Sequence, residues 1–365
     1  MLRHVYIHIP FCHRICPYCS FYKHKPGGTD MSAFVDAILR EIDFQSSRYE
    51  IVPHTIYFGG GTPSLFSTKH LTQLLTGIST RLDLSDLQEW DLEANPATFG
   101  LEKAEAMREH GVTRVSLGVQ SLDPATLETL GRDHSPEEAI EAFEILRRAR
   151  LPSVNLDLMF AIPGQSLATW HDTLERAAAL KSDHVSCYNL TYEEDTEFFE
   201  KLQAGNYSQD HDEDASYFTT AMDLLGGSGF EHYEISNYAQ PGFQSVHNRS
   251  YWAGHDYLGV GPGAVSTIHG KRWKNLPDTA AYIVADPASL PTEHETIDSV
   301  AFRDERIALQ LRTAVGLPLA IMTEEMLTNK VPVLVEEGLL LETDDSVVLS
   351  RRGKLVADSV AAYLV

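Results

Sequence analysis

From its N-terminus to about residue 190 the chain alternates short β-branched runs with longer helical patterns, and that alternation restricts it to repeated βα units on a parallel sheet. Strands are predicted over 5–9, 55–58, 89–93, 114–119, 154–159 and 184–190, with helices over 31–44, 68–81, 102–109 and 136–148 between them. Six units are too few for an eightfold closed barrel. The expected fold class is therefore α/β, a partial (β/α)6 barrel.

Beyond residue 192 the pattern loosens into a polar stretch over 193–214, a helix over 215–225 and the break Gly226-Gly227-Ser228-Gly229. Residues 237–270 are rich in glycine and aromatics. The segment from 297 onward reads as helices, a small hairpin over 338–349 and a last helix, a winged-helix-like order. The expected division is a core over 1–235, a loop-rich connection over 236–295 and a helical, winged-helix-like C-terminal domain over 296–365.

With 29 Lys and Arg against 52 Asp and Glu, the net charge of −23 repels phosphate backbones and anionic membrane surfaces, so nucleic acid is not expected as a partner. The opening Met1-Leu2-Arg3-His4 shows no leader pattern, and no run approaches the ~20 apolar residues of a membrane span. A cytoplasmic protein is expected, reaching a membrane only through a partner.

Ligands of parallel α/β sheets bind at the carboxyl ends of strands, where loops vary on a rigid support. Cys12, Gly59-Gly60-Gly61, Glu93, Gln120 and Asp157 all fall at or just past a predicted strand end. Five loops are thus expected to converge on one site. Cys12, Cys16 and Cys19 could hold three irons of a four-iron cluster and leave the fourth open. Structural zinc, with His8, His13 or His24 as a further ligand, and a redox dithiol at Cys16-Pro17-Tyr18-Cys19 are the competing readings.

Around these cysteines, Gly60, Gly61 and Thr62 lie in a glycine-rich turn where a ligand could approach the backbone. Glu93 could accept from ribose hydroxyls. Gln120 and Arg132 could grip a carboxylate, and Asp157 interrupts an apolar strand where an unpaired charge is costly. An Arg132–Asp157 salt bridge is the structural alternative. Tyr6 either reaches a bound cofactor or packs in the core. Cys187, inside an apolar strand, reads as a small buried hydrophobe.

The spacing Cys12-x3-Cys16-x2-Cys19, with Tyr18 before the last cysteine, resembles the signature of radical S-adenosylmethionine enzymes. That resemblance implies a [4Fe-4S] cluster on the three cysteines, with S-adenosylmethionine chelating the open iron among Tyr6, Gly60, Gly61, Thr62, Glu93, Gln120, Arg132 and Asp157. The protein's share is then to bind, orient and exclude water, while the cofactors supply the radical chemistry.

Further motifs follow in order: Tyr6-Ile-His-Ile-Pro-Phe-Cys12, Phe58-Gly-Gly-Gly-Thr-Pro-Ser64, Leu92-Glu-Ala-Asn-Pro96, Ser116-Leu-Gly-Val-Gln-Ser121, Asn155-Leu-Asp-Leu-Met159 and Tyr233-Glu-Ile-Ser-Asn237. Together they resemble the oxygen-independent coproporphyrinogen III oxidase-like group, which contains decarboxylating oxidases and haem chaperones. The short stretch before Cys12, Ser20-Phe21 after Cys19, and His247-Asn248-Arg249-Ser250-Tyr251-Trp252 are similar to the chaperone pattern. What this implies is haem binding through His247, transfer to an acceptor haemoprotein such as a membrane respiratory enzyme, and a homodimer. The oxidase is the alternative activity, and a zinc-stabilised binding module the alternative class.

Overall fold

The computed structural model describes residues 1–365. Six parallel strands, β1 (Leu2–Ile9), β2 (Ile51–Gly60), β3 (Glu89–Ala94), β4 (Arg114–Gln120), β5 (Ser153–Phe160) and β6 (His184–Asn189), lie side by side in chain order. Helices α1 (Met31–Arg48), α2 (Thr68–Ser79), α3 (Leu101–Glu109), α4 (Pro124–Thr129), α5 (Pro136–Arg148) and α6 (Leu167–Ala179) fill the connections. Local chemistry sets where they begin. The Asp30 carboxylate caps α1 through the amides of Ser32 and Ala33, and α5 opens on a Ser135–Glu138 capping box with Pro136 in its first turn.

After α7 (Glu197–Gln203) and α8 (His211–Gly227), β7 (Glu231–Glu234) and β8 (Asn237–Ala239) add antiparallel strands beyond β6. The chain then crosses to the other edge through α9 (Val246–Trp252), and β9 (Leu258–Val260) pairs parallel with β1. The resulting nine-stranded order, β7-β8-β6-β5-β4-β3-β2-β1-β9, is an open partial barrel. The stretch expected to be loop-rich thus supplies strands to both edges of the sheet.

The outward face of the strands and the inner faces of the helices form one core, including Ile7, Phe58, Trp90, Leu117, Leu156 and Trp170. The inward face is polar. In register, His4 sits beside Thr55 and Thr55 beside Glu89; Tyr6 beside Tyr57, Asp91 and Arg114; Glu93 beside Ser116, Asn155 and His184. Buried Arg114 pairs with buried Asp91 at 3.2 Å, so each of these two lumen charges has an opposite charge beside it.

A three-stranded antiparallel sheet over Lys271–Asn275 and its neighbours and α10 (Thr279–Val284) precede α11 (Ser299–Leu311). From α11 on, a separate core of buried residues from Ile307 to Leu364 joins helices to the hairpin Leu340–Glu342/Ser346–Leu349, matching the winged-helix-like order. No helix is long and apolar enough to cross a membrane.

Candidate functional site

The loop after β1 carries the three cysteines and is tied at both ends. Cys12 N donates to His24 O (3.0 Å), His24 N to Pro10 O (2.8 Å), and Thr62 N to Phe11 O (2.8 Å). Gly131 admits this loop as well: its φ is +66°, and a Cβ there would sit 2.8 Å from Pro17 Cδ. All three cysteines are half-buried free thiols lining one cavity of about 450 Å³. Burial pushes the Cys12 thiol up to about 11, and burial also raises Cys19.

The donor set fits a cluster better than a single ion. No three His, Cys, Asp or Glu side chains close on one point, whereas all three thiols line the one cavity. The histidines that zinc would need are engaged elsewhere. His8 holds Tyr6 Oη (3.0 Å) and Tyr22 O (2.8 Å), His24 holds Thr279 Oγ1 (2.7 Å), and His13 lies 3.4 Å from Asp133 Oδ2. Two protein donors already face the sulfurs: Thr62 Oγ1 at 3.5 Å from Cys12 Sγ and Arg132 Nη1 at 3.5 Å from Cys16 Sγ. Hydrogen bonds to sulfur tune a cluster's potential.

Gly60, Gly61, Thr62, Glu93, Gln120, Arg132 and Asp157 line the same cavity as the cysteines. Glycine is also required there by the packing behind the turn. A Cβ on Gly60, whose φ is +105°, would meet the His8 ring at 2.3 Å, and one on Gly61 would meet Ile9 O at 2.7 Å. Their missing side chains make room for β1 and the cysteine loop, while their backbone forms the cavity wall.

Glu93 accepts from Tyr57 Oη (2.8 Å) and Gly60 N (3.1 Å). Burial, reinforced by the Asp157 charge, lifts its carboxyl to about 7. Gln120 ends β4 at a φ of +65°, a left-handed conformation uncommon outside glycine that a strand-end register shift accompanies. The Arg132–Asp157 salt bridge does not form. Arg132 Nη2 donates to Gly118 O (2.9 Å), and Asp157 accepts from Ser116 Oγ (2.9 Å) and Asn155 Nδ2 (2.8 Å).

Two expected site residues lie elsewhere. Tyr6 sits one layer below the cavity, stacked on Tyr57 with centroids 6.0 Å apart. His247 belongs to the opposite, N-terminal mouth of the barrel, where α9 plugs the lumen. Glu89 holds the start of that helix, its carboxylate accepting from Ser245 Oγ (3.0 Å), Val246 N (3.0 Å) and His247 N (2.9 Å). The His247 ring stacks on Tyr57 at 4.9 Å, and its Nδ1 lies 2.8 Å from Thr55 Oγ1, which also meets His4 Nδ1 at 3.0 Å. Burial, with the nearby His4, lowers the His247 pKa to about 3, so the imidazole is neutral at ordinary pH and its Nε2 makes no hydrogen bond to the protein.

Sequence reading missed Glu89, Thr55 and Tyr57. A signal for them was present: His4-x-Tyr6-x-His8, Thr55-x-Tyr57 and Glu89-x-Asp91-x-Glu93 alternate polar residues with a period of two inside strands that a parallel sheet normally makes apolar on both faces.

Residues 6–177 match the model of the radical SAM superfamily, a class whose cofactors are a [4Fe-4S] cluster and S-adenosylmethionine. The chain is 32% identical over 371 residues to the heme chaperone HemW of Bacillus subtilis, covering 98% of each chain. It is 36% identical to that of Mycobacterium tuberculosis, covering 99% of this chain and 94% of the relative. Among solved structures, the Escherichia coli coproporphyrinogen III oxidase HemN superposes with a TM-score of 0.83 at 20% identity, over 100% of this chain and 90% of that one, a likeness of fold. The chain belongs to the HemW family of the radical SAM superfamily.

Proposed function

We propose that this protein is a haem chaperone: it binds haem and passes it to an acceptor haemoprotein, and it carries a [4Fe-4S] cluster and S-adenosylmethionine. Near full-length similarity to proteins named heme chaperone HemW carries this reading. Cys12, Cys16 and Cys19 hold the cluster, and Gly60, Gly61, Thr62, Glu93, Gln120, Arg132 and Asp157 surround S-adenosylmethionine, with Tyr6 supporting them through His8. Bound together, the two groups supply one-electron chemistry. Glu93 as carboxylate accepts from ribose hydroxyls, and Arg132, already donating toward Cys16, meets the cofactor's negative end.

At the other mouth, neutral His247 presents Nε2 to haem iron while Thr55 holds Nδ1, the arrangement in which a partner on one ring nitrogen orients the other toward metal. The acceptor is a haemoprotein, such as a respiratory enzyme at the membrane, reached from the cytoplasm, and the loaded form is a dimer. Residues 1–235 act as the core, 236–295 complete it with a strand on each side of the six parallel strands, and 296–365 act as the C-terminal domain.

Haem titration followed by the Soret band tests the reading. Saturable binding by the wild type, weakened at least about tenfold in His247→Ala, is expected; no binding by the wild type would sink it. Incubation of the reconstituted protein with coproporphyrinogen III, reductant and S-adenosylmethionine should yield no protoporphyrinogen, and its formation would establish the oxidase instead.

A further inference from the structure

A haem is an anion through its two propionates, and this chain's charge of −23 opposes it. A haem site here therefore needs local cations that the protein has not already neutralised. Of the arginines near α9, Arg272 is committed to Glu305 at 2.6 Å, Arg303 to Asp304 at 2.7 Å and Arg312 to Asp358 at 3.2 Å, while Arg249, on α9 itself, is exposed to solvent.

Arg306 differs from all of these. Its Nε is buried with no partner, and none of its nitrogens meets a carboxylate, carbonyl or hydroxyl of the protein. Only Nε of the guanidinium is enclosed, so its two terminal nitrogens stay open to water or to a ligand that brings its own acceptor.

Its place is specific. α11 lays the Arg306 stem across Gly254, where a Cβ would stand 3.0 Å from Arg306 Cγ and 3.6 Å from Nε, and Gly254 has a φ of +73°. Gly254 terminates the turn after α9, and Gln310 Nε2 on the same helix α11 holds Ala253 O at 3.0 Å. The next residue, exposed His255, stacks on His4 at 5.6 Å, and His4 shares Thr55 with His247. Arg306 thus borders the mouth that holds His247. From His247 to the end of α9 at Trp252 the helix rises about 7.5 Å, and Gly254 with the Arg306 stem upon it lies just beyond that end.

We propose that Arg306 receives a propionate carboxylate of haem bound at the α9 mouth, making the C-terminal module part of the site and selecting a porphyrin with free carboxylates; this rests on the haem-chaperone reading. The guanidinium fork matches a carboxylate in two parallel hydrogen bonds, and the ligand supplies the acceptor that the protein withholds.

The test compares haemin with its dimethyl ester, in the same micellar buffer, for wild type, Arg306→Gln and Arg306→Lys. Wild type should bind haemin about tenfold or more tighter than the ester. Arg306→Gln should lose that preference by weakening haemin alone, and Arg306→Lys should keep part of it. Equal weakening of both ligands by Arg306→Gln would mean that the arginine only packs against α9, and would overturn the proposal. Wild type binding both ligands equally would also overturn it while leaving the haem reading intact; wild type binding neither would overturn both.

Discussion

The two mouths of the barrel are built by opposite means. At the C-terminal mouth, residues from the loops after β1, β2, β3, β4 and β6 converge on one cavity with Asp157 from within β5, so the fifth expected loop residue is a strand residue. At the N-terminal mouth a single short helix, α9, is inserted and anchored by one buried carboxylate, Glu89. Yet β3 carries both Glu89 and Glu93, and Tyr57 touches both sites, its ring on His247 and its hydroxyl on Glu93. Strand-end loops make a site that tolerates change loop by loop. The plugged end depends on a few lumen side chains and should fail as a unit.

The largest effect should come from Cys16→Ala, which is expected to abolish a reconstituted content of about four irons and four sulfides per chain. Haem titration of the same variant should remain within about twofold of wild type, since His247 lies at the other mouth; parallel loss of both would show that the two mouths act as one site. Next is Gly60→Ala. A positive φ costs on the order of 1–3 kcal/mol, and the added Cβ must displace His8. Thermal unfolding should report a loss of about 2–4 kcal/mol, with S-adenosylmethionine binding impaired.

Glu89→Gln should cost about 1–3 kcal/mol by leaving amides at the start of α9 poorly paired, and should weaken haem binding while sparing S-adenosylmethionine binding. Equal weakening of the two, read by parallel titrations, would show that β3 couples the mouths.

The smallest and most discriminating effect is on pH dependence. His247 and His4, lowered to about 3 and about 4 chiefly by burial, are neutral in the fold, so below pH 6.5 the unfolded chain takes up protons first and stability falls on acidification toward pH 4. Glu93, raised to about 7 by burial, works in the other direction: the fold keeps its proton, and its contribution weakens as pH rises from about 4.5 to 7. Urea unfolding across pH 4–8 should show the acid-side slope reduced in His247→Gln and the neutral-side slope reduced in Glu93→Gln. S-adenosylmethionine affinity should rise with pH through 7 as Glu93 ionises, and Glu93→Gln should flatten that rise.

The βα alternation was legible because each strand and each helix writes its own period into the chain, and the strands fall within a few residues of their expected bounds. Cys12, Gly60, Glu93, Gln120 and Asp157 could be grouped in advance because the carboxyl ends of parallel strands lie on one side of a sheet. Arg132 was legible as a cavity residue, but its contacts were not. Whether it would meet Asp157 or Cys16 depends on where the helix-bearing loop after β4 folds back.

The histidine motif shows the boundary more sharply. His247 through Trp252 could be picked out as a unit of sequence, yet nothing local says that this unit plugs the barrel from below, opposite the cysteines. That placement comes from β8 pairing beside β6 and β9 beside β1, which forces the intervening chain across the bottom of the sheet. Glu89, Tyr57 and Arg306 gain their roles from the same crossing. Periodicity and spacing are properties of neighbours along the chain, so they establish the six-unit barrel and the cysteine loop. Contacts between residues some 160 positions apart, such as Glu89 with His247, exist only once the sheet has brought its two edges around a shared lumen.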